Sequence, residues 1–255
     1  MNWGRPTSAD SASWARPLYV LPVANSRGRA GATWETRLEL TNLATTENTV
    51  LVELIPAGRG ISSFAHTLVT LAAGQQRSWH NALDELFAFS GTGALRMSAL
   101  AGPIAANGLT SNVARDGVAA PLLPAVGEDV AIHGGERATL QGLAHDPART
   151  AAVRTNLGLL NLSTGPIRVR IQVYDALPDR LGQIEGDLSA RGFVQVNDIF
   201  ARVRAGAVDG GSAVVEALAP HGAFLVYASV IRGPSAPVVY VFPEPGHPAP
   251  VPIAR

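Results

Sequence analysis

Glu35-Thr-Arg-Leu-Glu-Leu-Thr-Asn-Leu43 returns 119 residues later as Arg154-Thr-Asn-Leu-Gly-Leu-Leu-Asn-Leu162, with five of the nine positions identical. In the first copy Trp34, Thr36, Leu38 and Leu40 alternate with Glu35, Arg37, Glu39 and Thr41; in the second, Val153, Thr155, Leu157 and Leu159 alternate with Arg154, Asn156 and Gly158. A period of two sends successive side chains to opposite faces of a strand, so the pattern predicts antiparallel strands with one buried and one wet face.

Nearly the same offset pairs Val50, Val52 and Leu54 with Val169, Ile171 and Val173, and Leu71 and Asn81 with Leu188 and Asp198. Further on it pairs Ala94 and Leu95 with Ala213 and Val214, and Leu122-Leu123-Pro124 with Val241-Phe242-Pro243. Matches at that many stations argue for an internal duplication. Short apolar runs between turn residues predict strands at 18–23, 34–42, 49–55, 64–71, 75–80, 94–100, 104–113 and 119–123. Seven or eight short strands per copy predict an all-β chain of two tandem antiparallel, Ig-like β-sandwich units. Each carries one short helix: Asn81 caps Ala82–Phe89 and Asp198 caps Ile199–Val203. The expected organisation is an arm at 1–17, unit 1 at 18–126, a glycine- and charge-rich linker at 127–137, unit 2 at 138–243 and a proline-spaced tail at 244–255.

Composition removes whole classes of chemistry. The 255 residues include no cysteine and no lysine, so thiol nucleophiles, disulfides, thiolate metal sites, Schiff-base lysines and a phosphate-loop lysine are excluded. Twenty arginines balance twenty acids, which gives no electrostatic footprint for nucleic acid or an anionic membrane. No apolar run approaches the roughly 20 residues of a spanning helix. Residues 1–17 lack the apolar core of a signal peptide and read as a flexible arm. No cofactor motif is present.

The polar residues that recur are assigned to the scaffold. Asn42 and Asn161 end equivalent strands, where an asparagine side chain closes a turn. His80, beside Asn81, Asp84 and Glu85, is a candidate acid–base or ligand group, but its copy is Asn197, which favours helix capping. His145-Asp146-Pro147-Ala148-Arg149 places a histidine beside a carboxylate, so His145 with Asp146 is the catalytic candidate, with Ser229 or Ser163 as a nucleophile. No Gly-x-Ser-x-Gly elbow or His-Glu-x-x-His helix supports it. His133, His221 and His247 sit in glycine- or proline-flanked loops. Asp175, Asp179, Glu185 and Asp187 offer oxygen ligands to calcium, though without the spacing of a dedicated loop. Trp34 and Trp79 are expected in the core, whereas Trp3 and Trp14 in the arm are interaction candidates, since exposed tryptophan calls for a cover. No exposed aromatic pair has the spacing of a sugar-stacking platform.

The pattern from Trp34 to Asn42, its copy at 154–161, the capped helix and the Gly-Ala-Leu strand at 93–95 resemble a family of bacterial tandem β-domain proteins from GC-rich genomes. That resemblance spans roughly 18–243 and implies export without an assigned activity; the sequence of residues 1–17 departs from it. The expected role is a non-catalytic extracellular or surface module for protein, matrix or ligand interaction, with self-assembly through edge strands or the arm. The rival is an ester or glycan hydrolase with one site where the two units meet.

Overall fold

The computed structural model describes residues 15–28, 31–58, 65–113, 121–149, 153–177, 179–233 and 238–243. Trp3, Trp14, His247 and the tail from 244 lie outside them. The chain is mostly β. It runs through β1 (Leu18–Arg27), β2 (Thr33–Asn42), β3 (Asn48–Pro56), β4 (Ala65–Leu71), β5 (Gln76–Trp79), α1 (Ala82–Phe87), β6 (Gly91–Ala99), β7 (Ile104–Asn112) and β8 (Leu122–Pro124). A 3-10 turn at Glu128–Val130 leads to β9 (Ile132–His133), β10 (Arg137–His145), β11 (Val153–Asn161), β12 (Ile167–Tyr174) and β13 (Arg180–Leu188). Then follow β14 (Phe193–Val196), α2 (Ile199–Arg202), β15 (Val208–Ala217), β16 (Ala223–Arg232) and β17 (Val239–Val241).

The ladders are antiparallel. In the second half they form two sheets, β13-β12-β15-β10 and β14-β11-β16-β17, with β9 added to β16. The first half has the same neighbours, β4-β3-β6-β1 and β5-β2-β7-β8, but the ends of β1 and β2 also pair, Asn25 opposite Glu35, which joins them into one sheet. The stretch expected to be a linker is not slack, since it contributes the 3-10 turn and β9.

Alternation fills each core. Leu38, Leu40, Val50, Val52, Leu54, Leu95 and Met97 pack together in the first half, and Leu157, Leu159, Val169, Ile171, Val173, Ala213 and Val215 in the second. Fully burying one such side chain contributes about 1.5–3 kcal/mol. The helices pack into these cores through Leu83 and through Ile199 and Phe200. The caps are as expected: Asn81 Oδ1 accepts from the Asp84 N–H and Asp198 Oδ1 from the Ala201 N–H.

Asn42 and Asn161 are buried clamps with matching bonds. The Asn42 amide donates to the carbonyls of Thr46, Leu71 and Ala72 while its oxygen accepts from Ala44. Asn161 donates to Gly165, Leu188 and Ser189 and accepts from Ser163. Each ties the end of β2 or β11 to the end of β4 or β13. Thr36 and Thr155 likewise accept from the backbone N–H of Ala24 and Ala144.

Ladder positions correct two sequence pairings. Leu54 stands opposite Leu95, and Val173 opposite Ala213, so Leu95 rather than Ala94 corresponds to Ala213. Leu38 and Leu157 similarly lead through Gly108 and Ala228 to Leu123 and Val241, one residue from the expected match of Leu122 with Val241. A one-residue slip reverses the face of every side chain.

The two halves meet through faces that the alternation marks as outer. Tyr19, Leu21, Ile55 and Ala94, on β1, β3 and β6, pack against Leu160, Phe193, Leu225 and Tyr227 on β11, β14 and β16. The Tyr227 ring stacks on Phe193 at a centroid distance of 6.4 Å and also meets Tyr240 and Phe242. Gly158 makes room for it: a Cβ there would stand 2.1 Å from Tyr227 Cε1. Main-chain contact reinforces the junction, with the Gly58 N–H donating to the Phe193 carbonyl at 2.9 Å. Tyr19 donates from its hydroxyl to Glu128 at 2.7 Å, and burial together with that carboxylate pushes its phenol far above the ordinary range.

Candidate functional site

Beside this apolar contact the halves diverge to leave a cleft of about 470 Å3, within the ~300–1,000 Å3 of small-molecule sites. The first half contributes Pro22–Ala24 at and just after the bulge of β1 between Val20 and Val23, together with Arg27, Trp34 and Thr110; the second contributes Arg154, Asn156, Gln195, Asn197, Ser229 and Tyr240. Arg154 and Asn156 are outer-face residues of β11 and yet are buried, at 8% and 7% exposure. Trp34, expected in the core, is half-buried in the wall of this cleft instead. It keeps the inward phase of β2 but lies near the start of the strand, beyond the packed layer. Gly28 lies under the indole, where a Cβ would stand 2.5 Å from Nε1. Trp79 is core, as expected.

The polar walls are wired in one sense. The backbone N–H of Asp198 donates to Asn156 Oδ1 at 3.1 Å, which fixes the amide so that Nδ2 donates to Ser229 Oγ at 3.3 Å. Tyr227 donates to Gln195 Oε1, and Gln195 Nε2 donates to Asn197 Oδ1. Burial raises the Tyr227 and Tyr240 phenols well above their ordinary range, so both stay protonated.

The catalytic candidates lie elsewhere or are otherwise engaged. His145 is buried with Nδ1 2.9 Å from Asp198 Oδ1, but the ring N–H is not aligned on that oxygen, so Nδ1 has no hydrogen-bond partner. Its ring stacks on Phe200. Its neighbour in space is therefore Asp198, the helix cap, and not Asp146, whose carboxylate accepts from the Ala148 N–H in a turn. Asn25, at the same station of β1, donates to Phe89 O just past α1, so the first half has a hydrogen bond to the helix segment where His145 makes a ring contact. His80 is exposed and outside the cleft, and the Glu85 carboxylate beside it accepts from the Asn81 N–H. His133 and His221 are exposed. Ser163 accepts from the Ala223 N–H.

The acidic residues near β13 do not converge on a cation. Asp175 Oδ1 caps a turn by accepting from Leu177 and Asp179, while Glu185 pairs with Arg168 and Arg170 and is held below the usual carboxylate range by them. Among the described residues no three His, Asp or Glu side chains are placed to hold a metal ion. No helix there is long and apolar enough to cross a membrane.

No family model and no curated protein matches this chain. Among solved structures it is similar to a protein of Parabacteroides distasonis ATCC 8503 predicted to be secreted, at 10% identity over 96% of this chain and 86% of that one, with a TM-score of 0.23. A likeness that distant carries no argument about role.

Proposed function

We propose that the chain consists of two tandem Ig-like β-sandwich units derived by duplication, 18–126 and 138–243 with 127–137 between them. In this reading it serves as a non-catalytic extracellular or surface module that binds ligand in the cleft between the units. One observation carries the reading: Ser229, a buried hydroxyl of the cleft, is hydrogen-bonded to the Asn156 amide, while His145 is stacked on Phe200 and faces the helix cap. A serine activated for attack needs a base to take its hydroxyl proton, and the described residues that line the cleft include no histidine and no carboxylate. The repeated polar residues support the same reading, because Asn42, Asn161, Thr36 and Thr155 are all spent on scaffold bonds.

The hydrolase reading draws on the hydrogen-bonded path from Ser229 through Asn156 to Asp198, with His145 beside the last. A panel of chromogenic esters and glycosides, run with wild type, Ser229→Ala and His145→Gln, separates the two. No turnover above background is expected from any of the three; turnover that either substitution abolishes replaces the binding reading with the hydrolase. Size-exclusion chromatography with and without residues 1–17 tests whether the arm holding Trp3 and Trp14 supports self-association.

A further inference from the structure

The wiring of the cleft walls selects the charge of what fits them. Asn156 is fixed as a donor to Ser229, so the Ser229 oxygen is occupied and its proton is free to be donated into the cleft. Asn197 accepts from Gln195 through its oxygen, which leaves its NH2 group to donate. Tyr240 stays protonated through burial. Arg27, exposed at the rim, has no ion-pair partner among the described residues. Among the described lining residues there is no carboxylate. The Ser229 hydroxyl, the Asn197 amide and the Arg27 guanidinium are thus donors facing the cleft with no carboxylate beside them, which favours an anionic ligand.

A second set of groups indicates what carries the charge. Trp34 presents part of its indole, held in place against Gly28, and Tyr240 lies on the facing half. Aromatic surface flanked by amides and hydroxyls matches a ring whose C–H face is apolar and whose edge bears hydroxyl groups. We propose that the junction cleft binds a carboxylate-bearing saccharide, its ring on Trp34 and its carboxylate met by Arg27, Ser229 and Asn197. This rests on the binding-module reading and adds the ligand class to it.

The test is calorimetric titration of the full chain with trigalacturonate, with its fully methyl-esterified form, and with a tri-aspartate peptide. Trigalacturonate is expected to bind at least tenfold more tightly than either of the others, with affinity that falls as salt is raised. Trp34→Ala, Arg27→Gln and Gly28→Ala each weaken it; the last keeps the indole but displaces it. Equal binding of the methyl ester overturns the anionic assignment, and equal binding of the peptide overturns the saccharide. Binding that survives Trp34→Ala and Arg27→Gln overturns the location, and absence of binding by trigalacturonate in a chain that melts cooperatively overturns the ligand class. None of these results produces turnover in the hydrolase panel, so failure of the ligand class and failure of the non-catalytic reading are read separately.

Discussion

β2 and β11 occupy the same place in the two halves, and they agree on one face and disagree on the other. Inward, Thr36, Leu38, Leu40 and Asn42 match Thr155, Leu157, Leu159 and Asn161 in identity, burial and bonding. Outward, Glu35, Arg37, Glu39 and Thr41 reach solvent to some degree, whereas Arg154, Asn156, Gly158 and Leu160 are buried. The inward face encodes the core of each half, and the outward face encodes what that half meets. Arg154 and Asn156 bring that outward face to the cleft, whereas Trp34 enters it from the inward phase of β2, past the edge of the core.

The largest expected effect breaks the comparison at the junction. Phe193 and Gln76 share a station, being opposite Leu160 and Thr41, yet Phe193 is fully buried while Gln76 is exposed. Phe193→Ala is expected to cost about 3–5 kcal/mol and Gln76→Ala less than about 0.5 kcal/mol, measured by urea denaturation. Comparable losses at both would mean that the outward faces do not differ as described.

Next come Asn42→Ala and Asn161→Ala. Each strips the donor from buried carbonyls, at about 1–3 kcal/mol for a group left unsatisfied, and the two losses should agree within about 1 kcal/mol. A clear inequality would show that the inward faces are not equivalent. Gly158→Ala drives a Cβ into the Tyr227 ring and should cost about 1–3 kcal/mol by overpacking, while Glu39→Ala at the same station leaves the melting temperature within a degree or two.

The smallest effect concerns Glu185. Hydrogen bonds from Arg170 and then Arg168 hold its carboxyl below the ordinary value. A depressed folded-state value makes the contribution present above the unfolded carboxylate range and lost as pH falls through the folded one. The difference in melting temperature between wild type and Glu185→Gln should be small at neutral pH, vanish towards strongly acid pH and shrink in high salt.

Inward periodicity was legible because burial on one face leaves a two-residue rhythm that chemistry cannot hide, and the helix caps were legible because Asn81 and Asp198 satisfy the same orphan donors. The junction was harder to read. Residues 223–231, Ala-Phe-Leu-Val-Tyr-Ala-Ser-Val-Ile, are apolar almost without alternation, the pattern of a strand covered on both sides, and that run was the available signal for Leu225 and Tyr227. Trp34 follows the inward rhythm but lies past the edge of the core, and periodicity carries no information on where a layer stops. In sequence His145 lies beside Asp146, whereas its neighbour in space, Asp198, is 53 residues away and reaches it through the fold. The cleft combines segments near 22–34, 154–156, 195–197 and 229–240, and their convergence depends on docking that no local pattern expresses.

The outer face of β10, β12, β13 and β15 has one more consequence. Where the first half presents Tyr19, Leu21, Ile55 and Ala94, the corresponding positions here are Thr139, Gln141, Tyr174 and Ser212. Beside them Arg168, Glu185, Arg170, Glu216 and Arg137 form an unbroken series of ion pairs. A contact made by the front of one module on the back of the next would, if repeated, grow into a filament. Adding a third module by the same contact would mean drying that series of charges. That charged face is therefore a poor receiver for the contact that joins the two halves.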